Sequence, residues 1–236
     1  MPPAPSAHPD PWQLFGSNLI RGQKAIWLFP LKVARGHHVK ATLAVAGIAA
    51  ALVGLDPLFK GLTGPQAPDV FNRALDGQNT YLGTTAVLPA FYLAGLVGRS
   101  RYARNTAVLA TEALLDADAV SLVMEDVTRR LVPSQVPVNG DITDTWFDSY
   151  RRQSFLQGAG GFPSGHTIAA FAVATVIARR YPHPLWHQWV AYGLAGLVGA
   201  SRLSTHSHFP SDVFLGATLG YAIARFVVTP LSRIPH

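Results

Sequence analysis

Six apolar segments constrain the fold of this chain more than any other feature. They cover residues 39–55, 81–97, 105–123, 166–178, 186–200 and 213–228. Only 14% of the 236 residues are charged, whereas about 25% is usual in soluble domains. Several segments hold about 15 apolar residues, fewer than the roughly 20 of a membrane span, so length leaves buried core helices as an alternative. Either way, the pattern predicts an all-α fold.

The distribution of basic residues favours the membrane alternative. If the N-terminus is cytoplasmic, twelve of the 19 Lys and Arg residues fall on the inner side of the six segments and seven on the outer side. Cytoplasmic loops of membrane proteins are enriched in Lys and Arg. We therefore expect a six-helix transmembrane bundle with both ends inside, and a soluble helical bundle is the alternative.

The net charge of +6 does not indicate nucleic-acid binding. Lys and Arg occur in short clusters between the apolar segments and form no continuous basic face. Anionic lipid headgroups are the expected partners of such clusters. The chain has no cysteine, which excludes disulfides and thiolate chemistry.

The expected organisation is a short N-terminal region followed by one membrane domain. Residues 1–38 are interpreted as a disordered tail, 1–10, and a helix over 11–32 that either lies on the inner membrane surface or packs on the bundle. Residues 39–230 form the six-span domain, with a long polar loop at 125–163 on the outer face. That loop carries four aromatic residues that we expect at the membrane interface: Trp146, Phe147, Tyr150 and Phe155.

Two polar clusters lie on the same predicted side of the bundle. The first is Pro163-Ser164-Gly165-His166, at the start of the fourth apolar segment. The start of a helix has unpaired N–H groups and a positive dipole end, and a glycine there lets an anion approach the backbone. The sequence therefore indicates an anion site, with ordinary helix capping by Ser164 as the alternative.

The second cluster, SRLSTHSHFPSD, covers residues 201–212. Arg202 carries a planar set of donors that matches phosphate oxygens. His208 and Asp212 are four residues apart and face one another if the turn is helical. A carboxylate on one ring nitrogen would leave the other nitrogen free to act as a nucleophile.

The two clusters together resemble the second and third signature motifs of the type-2 phosphatidic acid phosphatase superfamily, which includes vanadium haloperoxidases and glucose-6-phosphatase. Pro-Ser-Gly-His matches one motif, and Ser-Arg, five residues, His, three residues and Asp matches the other. The resemblance covers roughly residues 40–228. It implies a phosphomonoesterase or diphosphatase that works through a phosphohistidine, without a metal or another cofactor.

The resemblance also implies a role for each motif residue. His208 would be the nucleophile, Asp212 its orienting partner and His166 the proton donor to the leaving oxygen. The remaining motif residues would hold the phosphate oxygens, namely Arg202, Ser164 and the amide of Gly165. His206 is then interpreted as an exposed loop histidine, because the spacing from Arg202 selects His208.

The first motif of the family departs from its pattern here. In the best register, EDVTRRLVP, Glu125 replaces the family's lysine and Val132 replaces its arginine. We expect Arg130 to compensate as a phosphate ligand. Three other arginines are further candidates for that role, namely Arg129, Arg151 and Arg152.

Three acids interrupt the third apolar segment: Glu112, Asp116 and Asp118. Glu112 and Asp116 are four residues apart and share one helical face, which we expect to turn towards the bundle interior. We interpret these acids as partners in a buried polar network.

The sequence therefore predicts a multi-pass lipid-phosphate phosphatase of an inner membrane, with its site on the outer face. Its expected partners are the membrane and a lipid phosphate or diphosphate. Three alternatives remain open: a related phosphotransferase, a weakly catalytic lipid-phosphate-binding protein, and a soluble vanadate-dependent haloperoxidase.

Overall fold

The described part of the chain is entirely helical. A computed structural model describes residues 11–61, 69–136, 145–147 and 160–229. Nine α-helices and one 3-10 helix at Pro133–Gln135 lie in these residues, and no strand does. The α-helices are α1 (Pro11–Trp27), α2 (Phe29–Ala34), α3 (Val39–Gly61), α4 (Asp69–Ala74), α5 (Gly77–Val97), α6 (Arg101–Thr128), α7 (Gly165–Arg180), α8 (Trp186–Ser204) and α9 (Pro210–Val228). The predicted all-α class is confirmed.

Each of the six predicted apolar segments lies within one helix. These six helices are α3 and α5 to α9. Two helices begin at side-chain caps. Asp76 accepts a hydrogen bond from the N–H of Asn79 at the start of α5, 2.6 Å long, and Ser100 accepts one from Ala103 at the start of α6, 3.2 Å long. Such caps satisfy N–H groups that the helix itself leaves unpaired.

Three helices are long and apolar enough to cross a membrane. They are Val39–Phe59 within α3, Gly77–Val97, which is α5, and Pro210–Val228, which is α9. Within the described residues, α6, α7 and α8 do not reach that standard, so the predicted count of six spans is not confirmed. α6 does not qualify because it contains several acids. α7 does not qualify because it has only 16 residues, many of which are small and buried against other helices.

The centre of the bundle is α7, which packs against α6, α8 and α9. Its buried face consists largely of alanine, with Ile168 and Val176 among the larger side chains. Glycines let α9 approach closely: a Cβ at Gly216 would lie 2.9 Å from the Ser164 carbonyl oxygen, and one at Gly220 would lie 2.3 Å from that of Ile168. This approach sets α9 against the first turns of α7.

The N-terminal region forms two helices rather than one run over 11–32, and α1 packs on α6. Asn18 donates a hydrogen bond to Glu112 at 3.1 Å, and Gln23 donates one to Asp116 at 2.8 Å. Both acids are buried. For Glu112 and Asp116 the expected buried polar contacts are thus present and join α1 to the bundle, whereas the third acid, Asp118, is half-buried and accepts the hydroxyl of Tyr81 in α5. Residues 1–10 lie outside the described part of the chain.

We expect Gly220→Ala to destabilise the protein, because the added Cβ would overlap the Ile168 carbonyl oxygen. Overpacking of this kind costs about 1–3 kcal/mol. The thermal unfolding midpoint in detergent should fall. Gly193→Ala in α8 is the matched control, because nothing lies within 4 Å of its added Cβ. Equal midpoints for the two variants would contradict this description of the α7–α9 contact.

Candidate active site

The ends of α7, α8 and α9 meet at one side of the bundle and bring the two polar clusters together. The N–H of Ser164 donates to the carbonyl of Asp212, 3.1 Å away, which ties the start of α7 to the start of α9. The N–H of His208 donates to the carbonyl of Arg202 at 3.3 Å, so the loop after α8 turns back on that helix. The site is therefore built from helix ends that backbone hydrogen bonds fix to one another.

His166 and Arg202 converge on the first residue of α5. A Cβ at Gly77 would lie 3.2 Å from Nη1 of Arg202 and 3.4 Å from Nε2 of His166. Nε2 of His166 also forms a hydrogen bond of 2.9 Å with the Gly77 carbonyl. A Cβ at this position would therefore crowd the Arg202 guanidinium and lie in contact with the His166 ring.

Arg202 is buried and bonded to the segment before α5. Its Nη2 donates to the carbonyl of Leu75, and its Nε donates to the hydroxyl of Ser201 at 3.2 Å. Backbone carbonyls at 75 and 77 thus bond to the predicted phosphate ligand Arg202 and to the predicted proton donor His166. Sequence reasoning missed this segment, because a carbonyl contribution has no residue signature.

His208 is oriented by a backbone carbonyl. Its Nδ1 lies 2.8 Å from the carbonyl oxygen of Gly161, which can only accept, so Nδ1 carries the proton and Nε2 has a free lone pair. Burial lowers the pKa of His208 to about 4. The Gly161 bond opposes this shift, and electrostatic repulsion by His166, Arg202 and Arg130 adds to it. The ring is therefore neutral near pH 7.

Asp212 does not form the direct bond to His208 that the spacing predicted. Its Oδ2 lies 3.8 Å from Nδ1 of His208 and instead accepts the N–H of Phe209 at 2.7 Å. Its Oδ1 is paired with Arg130 at 2.5 Å. The Gly161 carbonyl takes the place expected for the carboxylate, because both oxygens of Asp212 already have closer donors.

Arg130 is wholly buried, which differs from the predicted role of phosphate ligand. Its terminal nitrogens donate to Asp56 at 2.6 Å, to Asp212 and to the hydroxyl of Ser211 at 2.7 Å. The rings of Trp146 and Phe209 cover it, with their centroids 4.4 and 4.5 Å from Cζ. The guanidinium is thus the centre of an ion-pair network beneath the site.

Trp146 therefore contacts Arg130, whereas the sequence placed it at the membrane interface with three other aromatics. Phe147 is 62% exposed, and Tyr150 and Phe155 lie outside the described residues. His206, expected to be exposed, is half-buried, and its carbonyl accepts the N–H of Ser134 at 3.2 Å.

The altered first motif lies beside the site in the predicted register. A Cβ at Gly165 would lie 3.0 Å from Oε1 of Glu125, and one at Gly161 would lie 2.7 Å from Cγ1 of Val132. Ser121 donates to the Glu125 carboxylate at 2.6 Å. An acid thus stands at the start of α7, where the family resemblance implies a lysine.

Of the other three candidate arginines, Arg129 lies in the described residues. Arg129 ends α6 with a left-handed backbone (φ 41°), and its Nε is buried without a hydrogen-bond partner. Arg151 and Arg152 lie outside the described residues.

Ser164 stands at the N-cap position of α7, but its side chain makes no capping bond. Its hydroxyl is buried and accepts the hydroxyl of Thr167 at 2.9 Å. Ordinary side-chain capping therefore does not explain why a serine precedes Gly165. Among the described residues, no group of three or more His, Asp or Glu is placed to hold a metal ion.

The sequence was compared with known families and proteins. Residues 106–233 match the PAP2 superfamily, which is more than half of the chain. The chain therefore belongs to this superfamily, as the two motifs predicted.

Three curated relatives match parts of the chain. A lipid A 1-phosphatase of Porphyromonas gingivalis is 38% identical over 66 residues, which is 28% of this chain and 15% of the relative. Lipid phosphate phosphatase 2 of Arabidopsis thaliana is 29% identical over 133 residues, or 50% of this chain and 46% of the relative. Bacitracin transport permease protein BcrC of Bacillus licheniformis is 41% identical over 66 residues, or 28% and 31%. The chain thus spans less than half the length of each.

A solved structure shares the fold. The crystal structure of a transmembrane PAP2-type phosphatidylglycerolphosphate phosphatase from Bacillus subtilis aligns over 96% of this chain and 98% of its own, with a TM-score of 0.51 and 22% sequence identity. At this level of identity the likeness concerns the fold alone. Together with the three apolar helices, it supports a membrane protein.

We expect His208 to titrate near pH 4 rather than near the ordinary value of about 6.5. Because the shift is downward, the ring should stay neutral as the pH falls from 7 to about 5. NMR of isotope-labelled histidine in detergent measures this, with the resonance assigned by its loss in His208→Gln. A midpoint near 6.5 would show that the ring is solvated and not buried.

Proposed function

We propose that this protein is a membrane phosphatase that hydrolyses a lipid phosphate or diphosphate through a phosphohistidine. The observation that carries the proposal is the His208 imidazole, whose Nδ1 is bonded to Gly161. This bond aims a neutral ring with a free Nε2 lone pair, the form of histidine that can attack phosphorus. Two further groups of the PAP2 motifs, Arg202 and His166, lie together nearby.

The phosphate would bind by displacing backbone carbonyls from the site. Arg202 and His166 would exchange the carbonyls of Leu75 and Gly77 for phosphate oxygens. The start of α7, with the hydroxyl of Ser164 and the amide of Gly165, would supply further donors and the positive end of a helix dipole. These groups would stabilise the charge on the equatorial oxygens during transfer.

The reaction would take place in two displacements. In the first, Nε2 of His208 forms a bond to phosphorus while the bond to the leaving oxygen breaks, and His166 gives that oxygen a proton. In the second, water attacks the phosphohistidine, His166 accepts the proton from the water, and the P–N bond breaks to release inorganic phosphate. The proton on His166 is thus restored with each turnover.

We further propose six membrane spans with both ends inside and the site on the outer face of an inner membrane. The apolar character of α3, α5 and α9 supports three of these spans. For α6, α7 and α8 the support is their packing among the other helices. The excess of Lys and Arg on the other side of the bundle supports the orientation.

The substrate class is supported by the names of two relatives, a lipid A 1-phosphatase and a lipid phosphate phosphatase. Phosphatidic acid, phosphatidylglycerol phosphate and polyprenyl diphosphates all present a terminal phosphate on an apolar anchor. The site recognises the phosphate, and these three lipids therefore form the panel for the test.

Phosphate release from this panel in detergent tests the proposed function. We expect the wild-type protein to release phosphate from at least one lipid, and His208→Ala to lower turnover at least about 1,000-fold, because no other group can form the covalent intermediate. His206→Ala, two residues away, is the matched control and should retain turnover. Wild-type activity in His208→Ala would exclude the phosphohistidine mechanism.

One observation favours a second candidate, a lipid-phosphate-binding protein with weak or no turnover. Glu125 places a carboxylate at the start of α7, where it opposes an anion. Binding of the panel lipids without phosphate release by the wild-type protein would identify this alternative. A phosphotransferase would instead deliver the phosphate to an acceptor other than water.

Glu125→Lys should preserve or raise phosphatase activity. The change removes a repulsive charge and restores the cation that the family motif has at this position. A charge-assisted hydrogen bond contributes about 1.5–3 kcal/mol, so kcat/KM could rise by about 10- to 100-fold. Glu125→Gln is the control that removes only the repulsion. Its kcat/KM should lie between the values of the wild type and Glu125→Lys. A severe loss in both variants would show that the Glu125 carboxylate has a role of its own.

A further inference from the structure

Asp56 is an acid with no solvent exposure inside an apolar helix. It lies within the candidate membrane span Val39–Phe59 of α3. A carboxylate in such a segment is costly unless it is paired, and one that is kept marks a functional position by default. A lone acid at the end of an apolar run was the available signal in the sequence, and the two phosphatase motifs do not include it.

The partners of Asp56 come from two distant parts of the chain. Its Oδ2 accepts Nη2 of Arg130 at 2.6 Å and the hydroxyl of Ser211 at 2.5 Å. Its Oδ1 accepts the N–H of Ser211 at 3.3 Å. Asp56 therefore holds Arg130 from one side and the first turn of α9 from the other.

Arg130 in turn reaches His208 by two routes. Its side chain pairs with Asp212, whose other oxygen holds the N–H of Phe209, the residue after His208. Its backbone carbonyl accepts the N–H of Gly161 at 2.7 Å, and the Gly161 carbonyl accepts Nδ1–H of His208. A displacement of Arg130 would therefore move both the backbone beside the nucleophile and the acceptor that orients its ring.

We propose that Asp56 is a positioning residue for His208, acting through Arg130. This inference rests on the proposed phosphatase function. Asp56 fixes the guanidinium, which holds Asp212, and so fixes the position of Arg130, whose backbone carbonyl holds Gly161. Together these contacts orient Nε2 of His208 for attack. Asp56 lies behind Arg130 and does not contact the phosphate, so its loss affects the transfer step and not the binding of phosphate.

A merely structural role for Asp56 makes a different prediction. If the carboxylate only ties α3 to the bundle, its loss reduces the number of correctly folded sites and leaves each remaining site as fast as before. The rate must therefore be expressed per competent site. Saturation binding of inorganic phosphate, the reaction product, counts those sites.

The test compares Asp56→Asn with the wild type in phosphate release and in phosphate binding. The substitution keeps the size of the side chain and removes its charge. We expect kcat per phosphate-binding site to fall by about 10- to 100-fold, which is the usual effect of losing a residue that orients a functional group through a hydrogen bond. The dissociation constant for inorganic phosphate should stay within about threefold of the wild-type value. Binding in the ground state does not depend on how Nε2 of His208 is oriented.

Asp116→Asn is the matched control. Asp116 is equally buried, but it bonds to Gln23 of α1, away from the site. It should retain wild-type kcat per site. Ser211→Ala is a second test variant that leaves no charge unpaired, and it should lower kcat per site several-fold because Asp56 and Arg130 share that hydroxyl.

Wild-type kcat per site in Asp56→Asn or in Ser211→Ala overturns the proposal. If Asp56→Asn fails to fold, Ser211→Ala decides alone. A failure of the proposed function is distinguished by the wild-type sample, which would then release no phosphate from any lipid of the panel.

Discussion

The burial of one guanidinium is the constraint on which the rest of the site depends. Arg130 has no contact with solvent, and an unpaired charge in that environment would cost several kcal/mol. It is stable because Asp56 of α3 and Asp212 of α9 both approach it, and because Trp146 and Phe209 cover its faces. These groups come from three separate parts of the chain. Assembly of the bundle and assembly of the site are therefore coupled through a single ion-pair network.

Local patterns predicted the helices and the two motif clusters, whereas tertiary pairing decided the rest. The apolar segments predicted which residues form α3 and α5–α9. The motif spacing predicted that Arg202, His208 and Asp212 lie together at one end of the bundle. The pairing of Asp56 with Arg130 joins residues 74 positions apart, which no short-range pattern reveals. The Gly161 carbonyl that orients His208 was equally hidden, because every residue carries a carbonyl and only the folded chain selects one.

The charge around the proposed phosphate position differs from the pattern that the family resemblance implies. Arg202 is a cation with its donors at the site, whereas the charge of Arg130 is largely offset by two carboxylates. Glu125 adds a carboxylate at the start of α7. Interactions between charges are strong in a medium of low polarity, so this balance weakens the attraction for a phosphate. The helix terminus and the neutral donors must then contribute a larger share of the binding than in a site with three cations.

Two side chains of the proposed phosphate pocket are hydrogen-bonded to backbone carbonyls. Arg202 donates to the Leu75 carbonyl, and His166 is bonded to the Gly77 carbonyl. A headgroup bound by these two side chains would therefore have to displace the two carbonyls. Charge-assisted hydrogen bonds are roughly twice as strong as neutral ones, so an anion gains by this exchange and an uncharged headgroup gains little. Gly77 keeps its segment close to both side chains, because a Cβ there would crowd Nη1 of Arg202 at 3.2 Å.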